Sequence, residues 1–135
     1  MVERWLRENN MEVIAIAKGV RQSPRKVSVV ASLVRGRKVA DALTILDHTP
    51  RRSASAVRKA IASAAANAEH NNNLKPDTLK IVEINVTAGP RIKRYRPAAH
   101  GRALPFQRKS SHIRVVVTGE ERQKKTTATK KEEEK

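Results

Sequence analysis

Between Ile84 and Gly119 the chain carries eight Lys or Arg residues and no Asp or Glu. The segment opens in a β-patterned run, Lys80 to Val86, and closes in another, Ile113 to Val117. Between them, Gly89 to Ala103 is too polar and too rich in Gly and Pro to fold as a core. Two strands bracketing a basic, acid-free stretch read as a long hairpin whose far end leaves its domain. Such an arm has no apolar surface to bury against its own protein. The partner it suits is a dense polyanion, and nucleic acid fits that description.

The arm accounts for half of the formal net charge of +16; the other eight positive charges belong to the rest of the 135 residues. That imbalance opposes a compact state by self-repulsion unless a polyanion or counter-ions neutralise it. Trp5, Tyr95 and Phe106 are the only aromatic residues, too few for a platform on which single-stranded bases stack. A core must therefore come from Val, Ile, Leu and Ala. There is no cysteine, which excludes disulfides and thiolate metal sites. His48, His100 and His112 are scattered without paired carboxylates, so neither a metal nor any other cofactor is expected. Glu69 and His70 adjoin, but neighbours on a helix diverge by about 100° and cannot face one substrate. The remaining acids of the central region (Glu12, Asp41, Asp47, Asp77, Glu83) are widely spaced, and no enzyme is expected. No apolar run approaches the roughly 20 residues a membrane helix requires, and the first ten residues do not resemble a signal peptide.

Three parts are expected: an extension over 1–11, one domain over 12–118 with the hairpin at 80–118, and a charged tail over 119–135. The tail has no large apolar side chain to offset the entropy of ordering and reads as disordered. Glu12 to Val20 alternates loosely and suits a strand. Ser23 and Pro24 give a helix start, with Val27, Val30, Ala31 and Val34 on one face, Arg25 opposite, and Gly36 as terminator. A shorter helix follows, with Val39, Ala42, Leu43 and Leu46 on one side. Thr49 and Pro50 repeat the start signal for a third helix, expected to run for about 21 residues, or ~31 Å, to His70. Its inward stripe is Ala54, Val57, Ile61, Ala64, Ala65 and Ala68; Arg52, Lys59, Ser63 and His70 fall opposite. In the hairpin, Val82, Ile84 and Val86 are expected to pair with Ile113, Val115 and Val117, leaving an arm of roughly 30 Å.

The basic residues outside the arm form three candidate contact groups: Arg21, Arg25 and Lys26; Arg35 and Lys38 with Arg37; and Arg52 with Lys59. Each reads either as an RNA contact or as a solvated surface. Tyr95 suits stacking on a base or packing within the arm. Trp5 suits anchoring of the extension to the core or to a neighbouring protein. An architectural DNA-binding protein with basic β-arms is the rival from another class, but it needs an apolar subunit interface that the composition does not supply.

Four motifs, in order, resemble one family. Gly89, Pro90, Lys93, Arg94, Pro97, Ala99, Gly101, Arg102 and Ala103, followed by Ser111, His112, Ile113 and Val115 to Val117, are similar to the hairpin of the bacterial large-subunit ribosomal protein number twenty-two family. Ser23 to Val27 with Arg35, Gly36, Lys38 and Val39 resembles its first helix and turn. Ala64, Ala66 to Asn71 resembles the end of its long helix. The resemblance runs from about Glu12 to Thr118. It implies an α+β fold, three helices packed on a small antiparallel sheet of about three strands, from which the long basic β-hairpin projects. It further implies a cytoplasmic ribosomal protein that contacts several domains of large-subunit ribosomal RNA, assists assembly and lines the nascent-peptide exit tunnel. Its partners would be that RNA, neighbouring large-subunit proteins and the nascent peptide, with no membrane and no homo-oligomer.

Carried over by position, Ile92, Lys93 and Arg94, with Tyr95 beside them, lie where the family's hairpin tip faces the tunnel constriction. Arg91, Arg96, Arg102, Arg108 and Lys109 correspond to arm contacts with phosphate. Two positions depart from the family: Ala98 and Ser28 stand where Arg is common, with Arg96 supplying a charge two positions before Ala98.

Overall fold

The structure, a computed structural model, describes residues 11–122. Residues 1–10, with the expectation attached to Trp5, and the part of the expected 119–135 tail that follows Arg122 lie outside the described residues. Strand β1 (Met11–Val20) leads into helices α1 (Pro24–Val34), α2 (Val39–Asp47) and α3 (Arg52–Asn72). A single 3-10 turn over Pro76–Thr78 then delivers the chain to β2 (Lys80–Pro97) and its hairpin partner β3 (Ala103–Gly119). The fold is α+β, three helices on one three-stranded antiparallel sheet, as the resemblance implies.

The strand order is β1-β3-β2, so the last strand in sequence is the central one. Val13 pairs with Val117 and Ala15 with Val115 on one side; Ile84 pairs with Val115 and Val86 with Ile113 on the other. Val13, Ala15, Ile81, Ile84, Ile113, Val115 and Val117 are buried on the face that α1 and α3 cover. Alternation in β1 holds as expected, with Ile14 and Ile16 turned to the opposite, open face.

Two of the three expected pairings hold. Ile84 and Val86 meet Val115 and Ile113, but Val117 is met by Ile81 and not by Val82. The register slips between Ile81 and Glu83. That extra residue reverses the parity of the strand, burying Ile81 completely and leaving Val82 49% exposed.

Helix α1 begins at the Ser23–Pro24 signal, but the Ser23 side chain makes no capping hydrogen bond. Its start rests on the fixed φ of Pro24 and on the extended backbone that Pro imposes on the residue before it. Val27, Val30, Ala31 and Val34 are all fully buried. Gly36, at φ +77, turns the chain so that its N–H donates to the Ile81 carbonyl at 3.1 Å. This pins the α1–α2 turn to the edge of β2.

The third helix starts later than the Thr49–Pro50 signal implies. Arg51 is its N-cap, while the Thr49 hydroxyl donates to the Ile45 carbonyl at 2.7 Å. Thr49 therefore closes α2 and does not open α3. At the other end α3 runs two residues past His70, to Asn72, and Asn73 caps it in the left-handed conformation (φ 50, ψ 37). Its buried arc is wider than the expected stripe: Ser53 and Ala60 join Ala54, Val57, Ile61, Ala64 and Ala68, and Ala65 is only half-buried. The width follows from packing on two sides, since α3 lies against β1 and β3 and also against α1 and α2. Small side chains let all these elements approach closely, at the cost of little apolar area per residue.

The tail expected to be disordered from 119 is ordered at its start: Gly119 ends β3, and the backbone beyond it stays paired for three residues. Lys75 N–H donates to the Glu120 carbonyl at 2.9 Å and Arg122 N–H to the Asn73 carbonyl at 2.8 Å.

Candidate nucleic-acid interface

The arm leaves the domain at one defined place. Beyond Ser111, which pairs with both Val20 and Ala88, β3 has only β2 beside it. At that point Gly89 and Pro90 together oppose Ser110, a bulge in β2. Proline fits a bulge because no ladder hydrogen bond is demanded of it. Gly89 is required by space: a Cβ there would lie 2.6 Å from Ser110 Oγ and 3.2 Å from the Ser110 carbonyl carbon. The Ser110 hydroxyl in turn donates to the Pro90 carbonyl at 2.6 Å, locking the bulge. From Gly89 to Pro97 the strand extends for about 30 Å at ~3.3 Å per residue, matching the expected reach.

The hairpin closes at Ala99–Arg102, where His100 (φ 59) and Gly101 (φ 67) are both left-handed. Positive φ at both central positions marks the type I′ turn, whose twist matches the flanking strands. The end of the arm is therefore Ala98 to Arg102. Ile92, Lys93, Arg94 and Tyr95, expected at the tip, lie instead on the β2 shaft, opposite Arg108, Gln107, Phe106 and Pro105. The correction has a simple cause: the left-handed pair His100–Gly101 sets the turn, and the strands pair without interruption from there to Arg91.

Residues directly opposite one another in an antiparallel ladder share a face. Arg91, Lys93 and Lys109 thus fall on one face of the arm, and Arg94, Arg96 and Arg108 on the other, with Arg102 in the turn. All of them are exposed. The Arg96 guanidinium sits 5.1 Å from the Phe106 ring centroid, a cation–π contact that holds one of the two aromatic residues of the arm in place. Tyr95, 72% exposed, lies on the other face with its ring free.

The domain adds two further groups. Gln22 Nε2 donates to the Arg52 carbonyl at 3.0 Å, and Ser53 Oγ to the Lys26 carbonyl at 3.4 Å. These bonds set the starts of α1 and α3 side by side, bringing Arg21, Arg25 and Lys26 together with Arg52. Arg51, not singled out in the sequence, joins them; the misplaced helix start had hidden it inside the first turn. Lys59 is exposed two turns along α3. Arg35 and Lys38 lie at the opposite end of α1, with Arg37 between them. There Arg35 Nη2 donates to the Ile84 carbonyl at 2.9 Å, so this guanidinium helps hold the β2 edge as well as presenting charge.

None of these expected contact residues forms an ion pair among the described residues. The two pairs present are Arg58–Asp47 at 2.5 Å and Arg114–Glu83 at 4.0 Å, both on half-exposed side chains. The positive charge of the arm and of the α1–α3 corner is thus left for an external partner. Among the described residues no group of His, Cys, Asp and Glu is arranged to hold a metal ion. No helix among them is long and apolar enough to cross a membrane.

Comparison with known proteins settles the family. Residues 15–118 match the family described as ribosomal protein L22p/L17e. The chain belongs to that family. It is 52% identical over 108 residues to the large ribosomal subunit protein uL22 of Desulforamulus reducens, covering 80% of this chain and 96% of the relative. The uL22 proteins of Clostridium tetani (50% over 107 residues, 79% and 96% covered) and Oceanobacillus iheyensis (48% over 108 residues, 80% and 96% covered) are similar to the same extent. In this L22p/L17e chain, the matched span takes in the helices, the whole arm and the sheet apart from residues 11–14 of β1 and Gly119.

Proposed function

We propose that the protein is a structural constituent of the large ribosomal subunit, not an enzyme, and that its arm is threaded through folded ribosomal RNA to reach the nascent-peptide exit tunnel. Membership of the L22p/L17e family, with relatives named as large-subunit proteins, supports the first part. The observation that carries the second is the division of arm cations between both faces, three on each, with no acid between Glu83 and Glu120. A protein lying on an RNA surface needs charge on one side only. An arm surrounded by phosphate needs it on both, because an uncharged face against a polyanion would be desolvated without compensation.

The chemistry is scaffolding. Arg91, Lys93, Arg94, Arg96, Arg102, Arg108 and Lys109 neutralise phosphates and release counter-ions, while the corner of Arg21, Arg25, Lys26, Arg51 and Arg52 seats the domain on a second RNA segment. Recognition of A-form RNA proceeds mainly by shape and backbone, so specificity comes from fitting several charged groups to one folded surface. Ala98 to Arg102 reaches furthest, and Ile92 to Tyr95 lines the approach to it. By this reading the nascent peptide meets the turn, neighbouring large-subunit proteins meet the domain, and assembly is assisted because one chain bridges RNA segments a strand's length apart.

The test is sedimentation of the tagged chain from a lysate on a sucrose gradient, with and without a high-salt wash. An intact chain that co-migrates with the large subunit, and a variant with residues 91–109 replaced by a short turn that washes off at lower salt, is the expected result. Recovery of the intact chain in light fractions, or with nucleoid DNA, overturns it.

A further inference from the structure

The two outer edges of the sheet are treated differently. Along β2 the α1–α2 turn covers the edge: Gly36 N–H donates to Ile81, Ile81 N–H donates to the Arg37 carbonyl at 2.9 Å, Val39 N–H donates to Leu79 at 3.0 Å, and Arg35 reaches Ile84. Along β1 nothing comparable exists among the described residues, because β1 pairs with β3 alone and Glu12 to Lys18 make no other backbone bond. An uncovered edge is usually blunted by charge, proline or a bulge. Here the register of β1 is irregular only between Ala17 and Val20, and the five residues from Val13 to Ala17 are all apolar. On the adjoining open face Ile14 is 43% and Ile16 56% exposed, while Val116, opposite Ile14, is buried and Arg114 stands opposite Ile16.

We infer that the free edge of β1 is a strand-addition site for an extended polypeptide segment from a neighbouring protein of the particle. The inference rests on the ribosomal reading above. A polypeptide, and not RNA, is indicated by two features. An open strand edge presents N–H and C=O groups alternately, and a second strand satisfies both. Phosphate oxygens only accept hydrogen bonds, so on RNA the edge carbonyls would depend on 2′-hydroxyl or base donors while facing a backbone of anions. The flanking charges are of both signs: Glu12 and Lys18 stand at the two ends of the run, and on the same open face Arg114 lies opposite Ile16, 4.0 Å from Glu83, which faces Val116. A polyanion would meet carboxylates as well as cations here, whereas a polypeptide can offer both signs. A strand with aliphatic side chains beside Ile14 and Ile16, an acid near Lys18 and a base near Glu12 complements this edge, Arg114 being paired with Glu83.

The test uses the chain assembled in purified large subunits, with Ile14 replaced by the photoreactive residue p-benzoylphenylalanine. Irradiation is expected to give one nuclease-resistant, protease-sensitive adduct, mapping to an extended segment of a second protein. Adding Ile16→Lys to the same chain should lower the adduct yield at least tenfold with incorporation unchanged, whereas an RNA contact would be kept or strengthened by the added cation. An RNA adduct, an adduct to a second copy of this chain, no adduct, or a yield indifferent to Ile16→Lys each overturns the inference alone. Failure of the chain to sediment with the large subunit overturns the functional reading and this inference with it.

Discussion

Arg91 and Lys109 lie directly opposite one another across the hairpin, the first ladder pair beyond the Gly89–Pro90 bulge. Like charges in that position oppose strand pairing, by the same few tenths to about 1 kcal/mol that an opposite pair contributes. Two-stranded arms are marginal in water even without such a penalty. The pair makes sense only for a strand ladder completed by something anionic, so the sequence places function and free-state stability in direct conflict here.

Lys109→Glu should therefore move two measurements in opposite directions. Arm amides of the free protein should exchange more slowly with solvent, because Arg91 then faces a carboxylate. Binding to ribosomal RNA should weaken, and the slope of log affinity against log salt should fall by about one for the lost phosphate contact. Weaker binding with an unchanged slope would show that Lys109 is not a phosphate ligand.

Ser111 Oγ is buried and has no hydrogen-bond partner among the described residues. Removing a buried hydroxyl that bonds to nothing relieves its desolvation. Ser111→Ala should leave thermal stability unchanged or raise it by up to about 1 kcal/mol. A loss on that scale, read from denaturant unfolding, would mean that the hydroxyl is satisfied in solution.

The exit bulge should be sensitive to a single methyl group. In Gly89→Ala the new Cβ would meet Ser110 Oγ at 2.6 Å, so the Ser110–Pro90 bond and the bulge geometry cannot both survive. Overpacking of this kind costs typically 1–3 kcal/mol. The cost should appear as loss of arm protection and of subunit incorporation, with the helical domain still melting cooperatively. Adding Ser110→Ala should restore part of it, since the nearest atom is then removed, although the Ser110 carbonyl carbon at 3.2 Å remains. Additive effects in that double mutant would place the strain elsewhere.

What the sequence made legible follows from how local each cause is. The α1 face, Val27 to Val34, could be read because helical period and burial coincide over three turns. The reach and charge of the arm were legible because an acid-free run needs no knowledge of tertiary structure. The parity of Val82 was not, because a bulge is decided by the partner strand, and Val82 alternates as well as Ile81 does until Val116 and Val117 are brought alongside. The role of Thr49 was hidden for a similar reason: its hydroxyl can cap forwards or bond backwards to Ile45, and the preceding helix decided. The end of the arm was not legible, because the basic residues Lys93 and Arg94 mark charge while the turn is set by backbone handedness at His100 and Gly101. The open edge of β1 depends on strand order, which no local pattern encodes.

The last three described residues can be tested by choosing where the chain stops. Truncation after Arg122 keeps the bonds from Lys75 N–H to Glu120 and from Arg122 N–H to Asn73, and the bond from Glu120 N–H to Thr78 Oγ1 at 3.1 Å. Truncation after Gly119 removes all three. Net contributions of about 0.5–1.5 kcal/mol each put the difference between the two truncations at roughly 1.5–4.5 kcal/mol if none is replaced by water, and less to the extent that water takes over. Leu74, fully buried beside this pairing, also loses its cover in the shorter chain. The chain ending at Gly119 should thus unfold at a lower urea midpoint than the chain ending at Arg122, with the same slope, since the surface exposed on unfolding hardly changes. Identical midpoints would show that Glu120 to Arg122 are peripheral to the fold, and that Leu74 is held by α3 and the Pro76–Thr78 turn without them.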